Sequence, residues 1–202
     1  MRIAFYIDYK SPYAYLAKDP AYALERETGV TIDWLPYILD IPAYLGSAKV
    51  DGEGKVLEQD RNAHQWRRVK YSYMDVRREA NRAGLTIRGT QKIWDSSLAG
   101  IGLLHAKKHG AFRAYNDEVF ERFWKRDLDI ESPAVLADVL SRAGAPGFEA
   151  FAQGEGRAEL KAVQEAAEAK GVFGVPSFLF PDGDLYWGRE HFARVREILA
   201  RS

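Results

Sequence analysis

Residues 3–17 read IAFYIDYKSPYAYLA, and the fold is decided by how this stretch is parsed. Ile3 to Asp8 is a run of aromatic and branched residues without polar alternation, the pattern of a strand covered on both faces. Ser11 then offers a side-chain oxygen to the open amides of a helix start. Pro12, which has no N–H to lose, suits the first helical position, and the helix is expected to run to about Thr28-Gly29. Val30 to Tyr37 (VTIDWLPY) has the composition of a second strand, so the three segments predict a right-handed parallel βαβ unit.

Outward from this unit the signals change. Leu45 to Asp60 is polar and contains Gly46, Gly52 and Gly54, which predicts a mobile loop. Trp66, Val69, Tyr73, Val76 and Ala80 then recur at steps of three and four, an amphipathic helix closed by Gly84. Further helices are predicted at about Ser96 to His109, Ala111 to Lys125, Ser132-Pro133 to Gly144 and Glu155 to Lys170. Strand signals return only in Ser177 to Phe180 and Leu185 to Trp187, joined by the turn Pro181-Asp182-Gly183-Asp184 as a hairpin. His191 to Ala200 closes the pattern as an amphipathic helix with Phe192, Val195, Ile198 and Leu199 inward. The order is βαβ, helices, ββα. No linker separates two cores, so the helical block is read as interrupting one sheet domain.

Composition narrows the function. The 202 residues are 47% hydrophobic, enough for a sizeable core, and 29 Lys and Arg balance 29 Asp and Glu, so bulk charge gives no attraction to nucleic acid or to an anionic membrane. The absence of cysteine excludes disulfides, thiolate metal sites and a thiol nucleophile of the chain's own; any sulfur chemistry uses a borrowed thiol. No stretch is long and apolar enough to span a bilayer, and the first residues lack a basic segment ahead of an apolar one, so a soluble, cytoplasmic protein is expected.

Three places can carry chemistry. Ser11 puts a hydroxyl at a helix N-terminus, where free amides and the helix dipole favour a neighbouring anion; the same pattern is that of a plain N-cap. Gly174-Val175-Pro176-Ser177 places a proline at the start of an apolar strand, compatible with either peptide isomer. Gly188-Arg189-Glu190-His191 opens the last helix with charges that suit ligand binding and solvated capping alike. The basic run Arg67, Arg68, Lys70, Arg77, Arg78 reads as a solvated face and is assigned no role. His105 and His109 lie one turn apart without a metal-ligand companion, so no metal site is assigned. Tyr6, Tyr9, Tyr13, Tyr15, Trp34 and Trp187 are expected mainly in the core, some of them lining an aromatic pocket.

Asp8-x-x-Ser11-Pro12-x-x-Tyr15, Gly171-Val-Phe-Gly-Val-Pro176 and Leu185-Tyr-Trp-Gly-Arg-Glu-His-Phe192, taken in order, resemble the 2-hydroxychromene-2-carboxylate isomerases and kappa-class glutathione transferases of the DsbA-like group. The resemblance spans essentially the whole chain. It implies an α/β thioredoxin-like fold (βαβ…ββα) built from residues 1–45 and 171–202, with a large all-helical insertion at about 60–170. It also implies glutathione as cofactor, a small aromatic or electrophilic substrate, and a homodimer. Ser11 matches the serine whose hydroxyl binds the glutathione sulfur, and Val175 with a cis Pro176 matches the backbone that pairs with the cysteinyl unit. Glu190 stands where the family holds the γ-glutamyl end with an aspartate, and Asn62 matches an asparagine ahead of the first inserted helix. The implied reaction is reversible thiolate addition to an unsaturated aromatic 2-oxo acid. Ile93-Trp94-Asp95-Ser96-Ser97 departs from the isomerase pattern around the substrate, which leaves a glutathione transferase or a redox-silent DsbA-like binding protein as alternatives.

Overall fold

The computed structural model describes residues 1–201. Strand β1 (Arg2–Ile7) is followed by helix α1 (Pro12–Thr28) and strand β2 (Thr31–Pro36). β1 and β2 pair in parallel, from Arg2 opposite Thr31 to Ile7 opposite Pro36. Ile3, Phe5, Tyr6 and Ile7 are all buried, which is why the strand shows no polar alternation. Ser11 caps α1 from an extended conformation and Gly29 ends it at φ 70°, a backbone angle that costs glycine nothing.

The sheet is completed from the far end of the sequence. Strands β5 (Ser177–Leu179) and β6 (Leu185–Trp187) form the expected hairpin, and β5 lies antiparallel to β1 with Tyr6 opposite Ser177. The strand order is β2-β1-β5-β6, so β1 is central. Helix α9 (Phe192–Leu199) follows a 3₁₀ turn at Arg189–His191 and buries Phe192 and Val195, while Ile198 and Leu199 are only half covered. Phe5 stacks on Phe178 at 4.3 Å and meets Trp34 edge-on at 4.9 Å across the sheet, and this cluster reaches the helices through Phe192 of α9 against Phe178 and Tyr22 of α1 against Trp34.

The segment between β2 and β5 departs from expectation in two places. A short helix α2 (Ile41–Leu45) precedes the loop predicted over Leu45 to Asp60, and that segment is an antiparallel hairpin of β3 (Ala48–Val50) and β4 (Val56–Gln59). Its turn is held by Asp51, whose Oδ1 accepts from the N–H groups of Glu53 and Lys55. No residue of β4 is buried, so that strand lacks the alternation that betrays a half-covered sheet, and β3, with its three residues, is too short for its alternation to register. The predicted helices are present as α3 (Ala63–Arg82), α4 (Ser97–Lys108), α5 (Phe112–Lys125), α6 (Pro133–Arg142) and α8 (Glu155–Glu168), with an unforeseen short helix α7 (Phe148–Gln153) between the last two. A buried chain of hydrogen bonds ties the block to the sheet domain: Tyr9 donates to Asn116 Oδ1 at 3.0 Å, and Asn116 donates to the Tyr22 hydroxyl at 2.7 Å. Among the described residues no helix is long and apolar enough to cross a membrane.

Candidate active site

The site begins at the C-terminal end of β1. Asp8, with its side chain fully buried, gives its backbone oxygen to Ser11 N–H at 2.9 Å, one carboxylate oxygen to Lys10 N–H at 3.1 Å and the other to Leu39 N–H at 2.8 Å. One residue thereby fixes both the turn that delivers Ser11 and the segment that leaves β2. Ser11, 5% exposed, accepts a hydrogen bond from Ala14 N–H at 3.3 Å, and its own O–H has no acceptor among the described residues. The helix cap and a free donor therefore coexist in one hydroxyl.

Ser11 opens into a pocket of about 330 Å³. Tyr13, Tyr44, Tyr73, Trp94 and Trp187 form much of its wall. Its charged lining consists of Lys10, Arg61, Arg68 and Lys92, with no carboxylate among the described residues. In a chain of zero formal charge this is a local concentration of positive potential suited to an anion. Lys92 is paired with Glu131 and lies over the Trp94 ring, while Arg61 donates to Leu45 O at 3.0 Å and sits over Trp66. Arg68 makes no hydrogen bond or ion pair among the described residues. Tyr13 donates to Asp75 Oδ2 at 3.1 Å, and burial, reinforced by that carboxylate, pushes its pKa up to about 12. Burial, with the Asp8 charge next, does the same for Tyr44. Both rings present protonated hydroxyls at neutral pH.

An adjoining cleft of about 460 Å³ shares Tyr13, Val175 and Trp187 with the pocket and adds Pro176, Gly188, Arg189 and Glu190. The Val175-Pro176 bond is cis. Val175 is buried, yet neither its N–H nor its C=O is paired among the described residues, an arrangement that calls for an outside partner. The loop around it is fixed: Ser177 Oγ donates to Gly174 O at 2.7 Å, and Gly188 N–H donates to Pro176 O at 2.8 Å. Gly174 admits the Trp187 indole so closely that a Cβ there would come within 2.6 Å of its Nε1. Gly188, at φ 107°, has the Glu190 carboxylate folded over it, where any side chain would collide. Glu190 has no counter-ion among the described residues, because neighbouring Arg189 is paired with Glu79 at 3.0 Å.

Ser11, Val175, Pro176 and Glu190 thus line two adjoining cavities that share Tyr13, Val175 and Trp187, although they come from the two ends of the sheet domain. Asn62 does not join them. It caps α3, with its side-chain oxygen accepting from His64 and Gln65 N–H groups and the Gln65 side chain reciprocating, and it lines neither cavity. Its neighbour Arg61 takes the place in the wall. Arg68, read as part of a solvated face, also lines the pocket, as do Lys10 and Lys92. Lys10 had a signal in its adjacency to Ser11; Arg68 and Lys92 had none, because their nearness depends on how α3 and the segment before α4 pack. Of the aromatics expected in the core, Trp187 is 50% exposed and belongs to the site. His105 serves structure, its Nε2 lying 2.9 Å from Pro146 O.

The family described as the DSBA-like thioredoxin domain matches residues 2–200. A 2-hydroxychromene-2-carboxylate isomerase of Pseudomonas putida is 27% identical over 207 residues, covering 100% of this chain and 95% of that protein. The enzyme of the same name from Sphingobium xenophagum is 28% identical over 205 residues, covering 98% and 97%. A solved structure of 2-hydroxychromene-2-carboxylate isomerase superposes with a TM-score of 0.74 at 22% identity, covering 100% of this chain and 95% of that one, and shares its fold.

Proposed function

The chain belongs to the DSBA-like thioredoxin domain family, and on that premise we propose that its cysteine-free site binds glutathione and isomerises an unsaturated aromatic 2-oxo acid; the isomerase part of this reading is supported by the names of its relatives, the glutathione part by the site. The observation that carries this reading is the unpaired backbone of buried Val175 facing the same cavity as the free Ser11 hydroxyl. An extended tripeptide satisfies both: its peptide groups pair with Val175 as an added strand does, and its sulfur meets Ser11. The fit extends to Glu190, an unpaired carboxylate at the cleft's far end that suits the α-ammonium of the γ-glutamyl unit.

Glutathione, if held by Ser11, Val175 and Glu190, would supply a thiolate able to add reversibly to the substrate's conjugated alkene and so lower the barrier to its rotation.

The residues act around that chemistry. Ser11 would donate a hydrogen bond to the sulfur anion, keeping its own proton, and hold the anion at the N-terminus of α1, where the helix dipole adds about 0.3–1 kcal/mol. It attacks nothing, since no base stands within reach of its hydroxyl. Arg61 and Arg68 keep the wall positive for an anionic ligand, and Asn62 contributes by fixing the start of α3, which carries Arg68 and directly follows Arg61. Trp94 and Tyr73 offer flat apolar faces to an aromatic ring.

Glutathione added to the protein is expected to raise its melting temperature with concentration, as a ligand selective for the folded state does. A benzylidenepyruvate then distinguishes the reactions: isomerisation leaves the glutathione concentration unchanged, whereas conjugation lowers it. No thermal shift at millimolar glutathione overturns the proposal.

A further inference from the structure

Lys10 stands immediately before Ser11, and its side chain is only 7% exposed. Its Nζ donates to Ser96 Oγ at 3.2 Å and lies 3.4 Å from Asp8 Oδ2, a carboxylate whose oxygens already accept from Leu39 and Lys10 N–H groups. An ammonium carries three protons. Ser96 takes one and Asp8 lies at the long limit of a second. The third has no acceptor among the described residues.

That free donor sits where two cavities meet. Lys10, Leu39, Ile93 and Trp94 line both the Ser11 pocket and a second, wider groove of about 700 Å³ bordered by α8 and the segment after β2. On the pocket side no carboxylate faces Lys10. On the groove side Asp40, Asp95, Glu165 and Glu168 contribute to the wall, but each has a local partner: Asp40 accepts from Ala43 N–H, Asp95 from Ser97 N–H and Glu168 from Gln164 Nε2, and Glu165 is paired with Lys161. A nearly dry cation with an unused donor, one residue from the thiolate-holding serine and walled by a tryptophan and two aliphatic chains, matches a carboxylate attached to an aromatic group.

We infer that Lys10 is the specificity-determining anchor for the carboxylate of the electrophilic substrate, a role that rests on the function proposed above. The ammonium holds the oxo-acid end beside Ser11, and the aromatic end lies along Trp94, Ile93 and Leu39 toward the groove. Asp8 and Ser96 position the ammonium and are not themselves ligands. Glutathione has a glycyl carboxylate of the same chemistry, and the test is arranged to tell the two sources apart.

Calorimetric titration with trans-cinnamate and its uncharged counterpart cinnamamide reads the anchor without requiring turnover. The unaltered protein is expected to prefer cinnamate by roughly ten- to a hundredfold, the range for a hydrogen bond between charged groups. Lys10→Met brings that preference to about one while leaving cinnamamide and glutathione affinities within about twofold, and Lys10→Arg retains most of it. The double variant D8N/K10M removes both charges of the buried pair and gives the same readout if the single variant fails to fold. The inference is overturned by a preference that survives Lys10→Met, by no preference in the unaltered protein, or by glutathione weakening in step with cinnamate. A preference abolished by Lys10→Met, in a protein that turns over no benzylidenepyruvate, upholds the anchor and removes the isomerase reading instead.

Discussion

The guanidinium of Arg189 lies 3.0 Å from the carboxylate of Glu79, joining the turn before the last helix to α3. Arg189 is thereby unavailable to Glu190, which stays uncompensated in the cleft. Glu190→Gln is expected to weaken glutathione about tenfold, since a charge-assisted hydrogen bond becomes a neutral one. Arg189→Ala, at a half-buried pair, is expected to cost about 1 kcal/mol of stability. Titration calorimetry and urea unfolding check the two, and an unchanged glutathione affinity in Glu190→Gln refutes the assigned role.

Ser11→Ala removes a cap and a donor together. About 1 kcal/mol of stability is expected to go with the cap, and about 10²–10³ in kcat with the donor to the thiolate. Thiolate absorbance of bound glutathione, followed against pH, should show the thiol pKa rising. A stability loss without a pKa change would leave Ser11 a capping residue alone.

Two glycines separate backbone cost from site geometry. Gly29, at φ 70°, has open space where a Cβ would go, so Gly29→Ala is expected to cost about 1 kcal/mol and leave glutathione binding intact. Gly188→Ala carries the same kind of backbone penalty and also displaces the Glu190 carboxylate, so it should weaken glutathione as Glu190→Gln does. Equal affinities in the two alanine variants would contradict this geometry.

Alkaline pH probes the aromatic interior. Burial raises the pKa of eight of the eleven tyrosines, Tyr13 and Tyr15 to about 12. Because the folded-state values lie above the unfolded value of about 10, the folded chain holds more protons between the two. This contribution to stability is complete below about pH 10 and is lost as pH climbs toward 12. Most of the absorbance of ionised tyrosine at 295 nm, the part due to these eight, should rise together with the loss of circular dichroism. A smooth titration that precedes unfolding would place these rings closer to solvent than described.

What was legible in the chain was local. Ser11, Pro12 and Gly29 announce α1 because a cap, a missing N–H and a left-handed residue act within a few positions of themselves. The β3–β4 hairpin was illegible because its side chains are exposed or half-exposed and one of its edges is completed by Gln91, which accepts from Val50 N–H at 2.8 Å. Helix α7 has six residues and starts at Gly147 without a side-chain cap, so neither period nor punctuation marks it. Asn62 carried a clear capping signature with Gln65, and that role is the one it fills. The pocket's cations were hidden for a different reason. Arg68 points at the site only because α3 packs beside α1, and nothing in a run of five basic residues singles out the one that does so.

The pairing of Tyr6 with Ser177 also bears on how the protein comes into being. β1 leaves the ribosome first and β5 only after the entire helical block, so during synthesis β1 has an open flank where its last neighbour will lie. Throughout that interval Ser11 already heads its helix, but the Val175 backbone facing it has not yet been made. On the proposed function, a partly translated chain is thus expected not to capture a thiol, and ligand binding would report that translation has reached the β5–β6 hairpin.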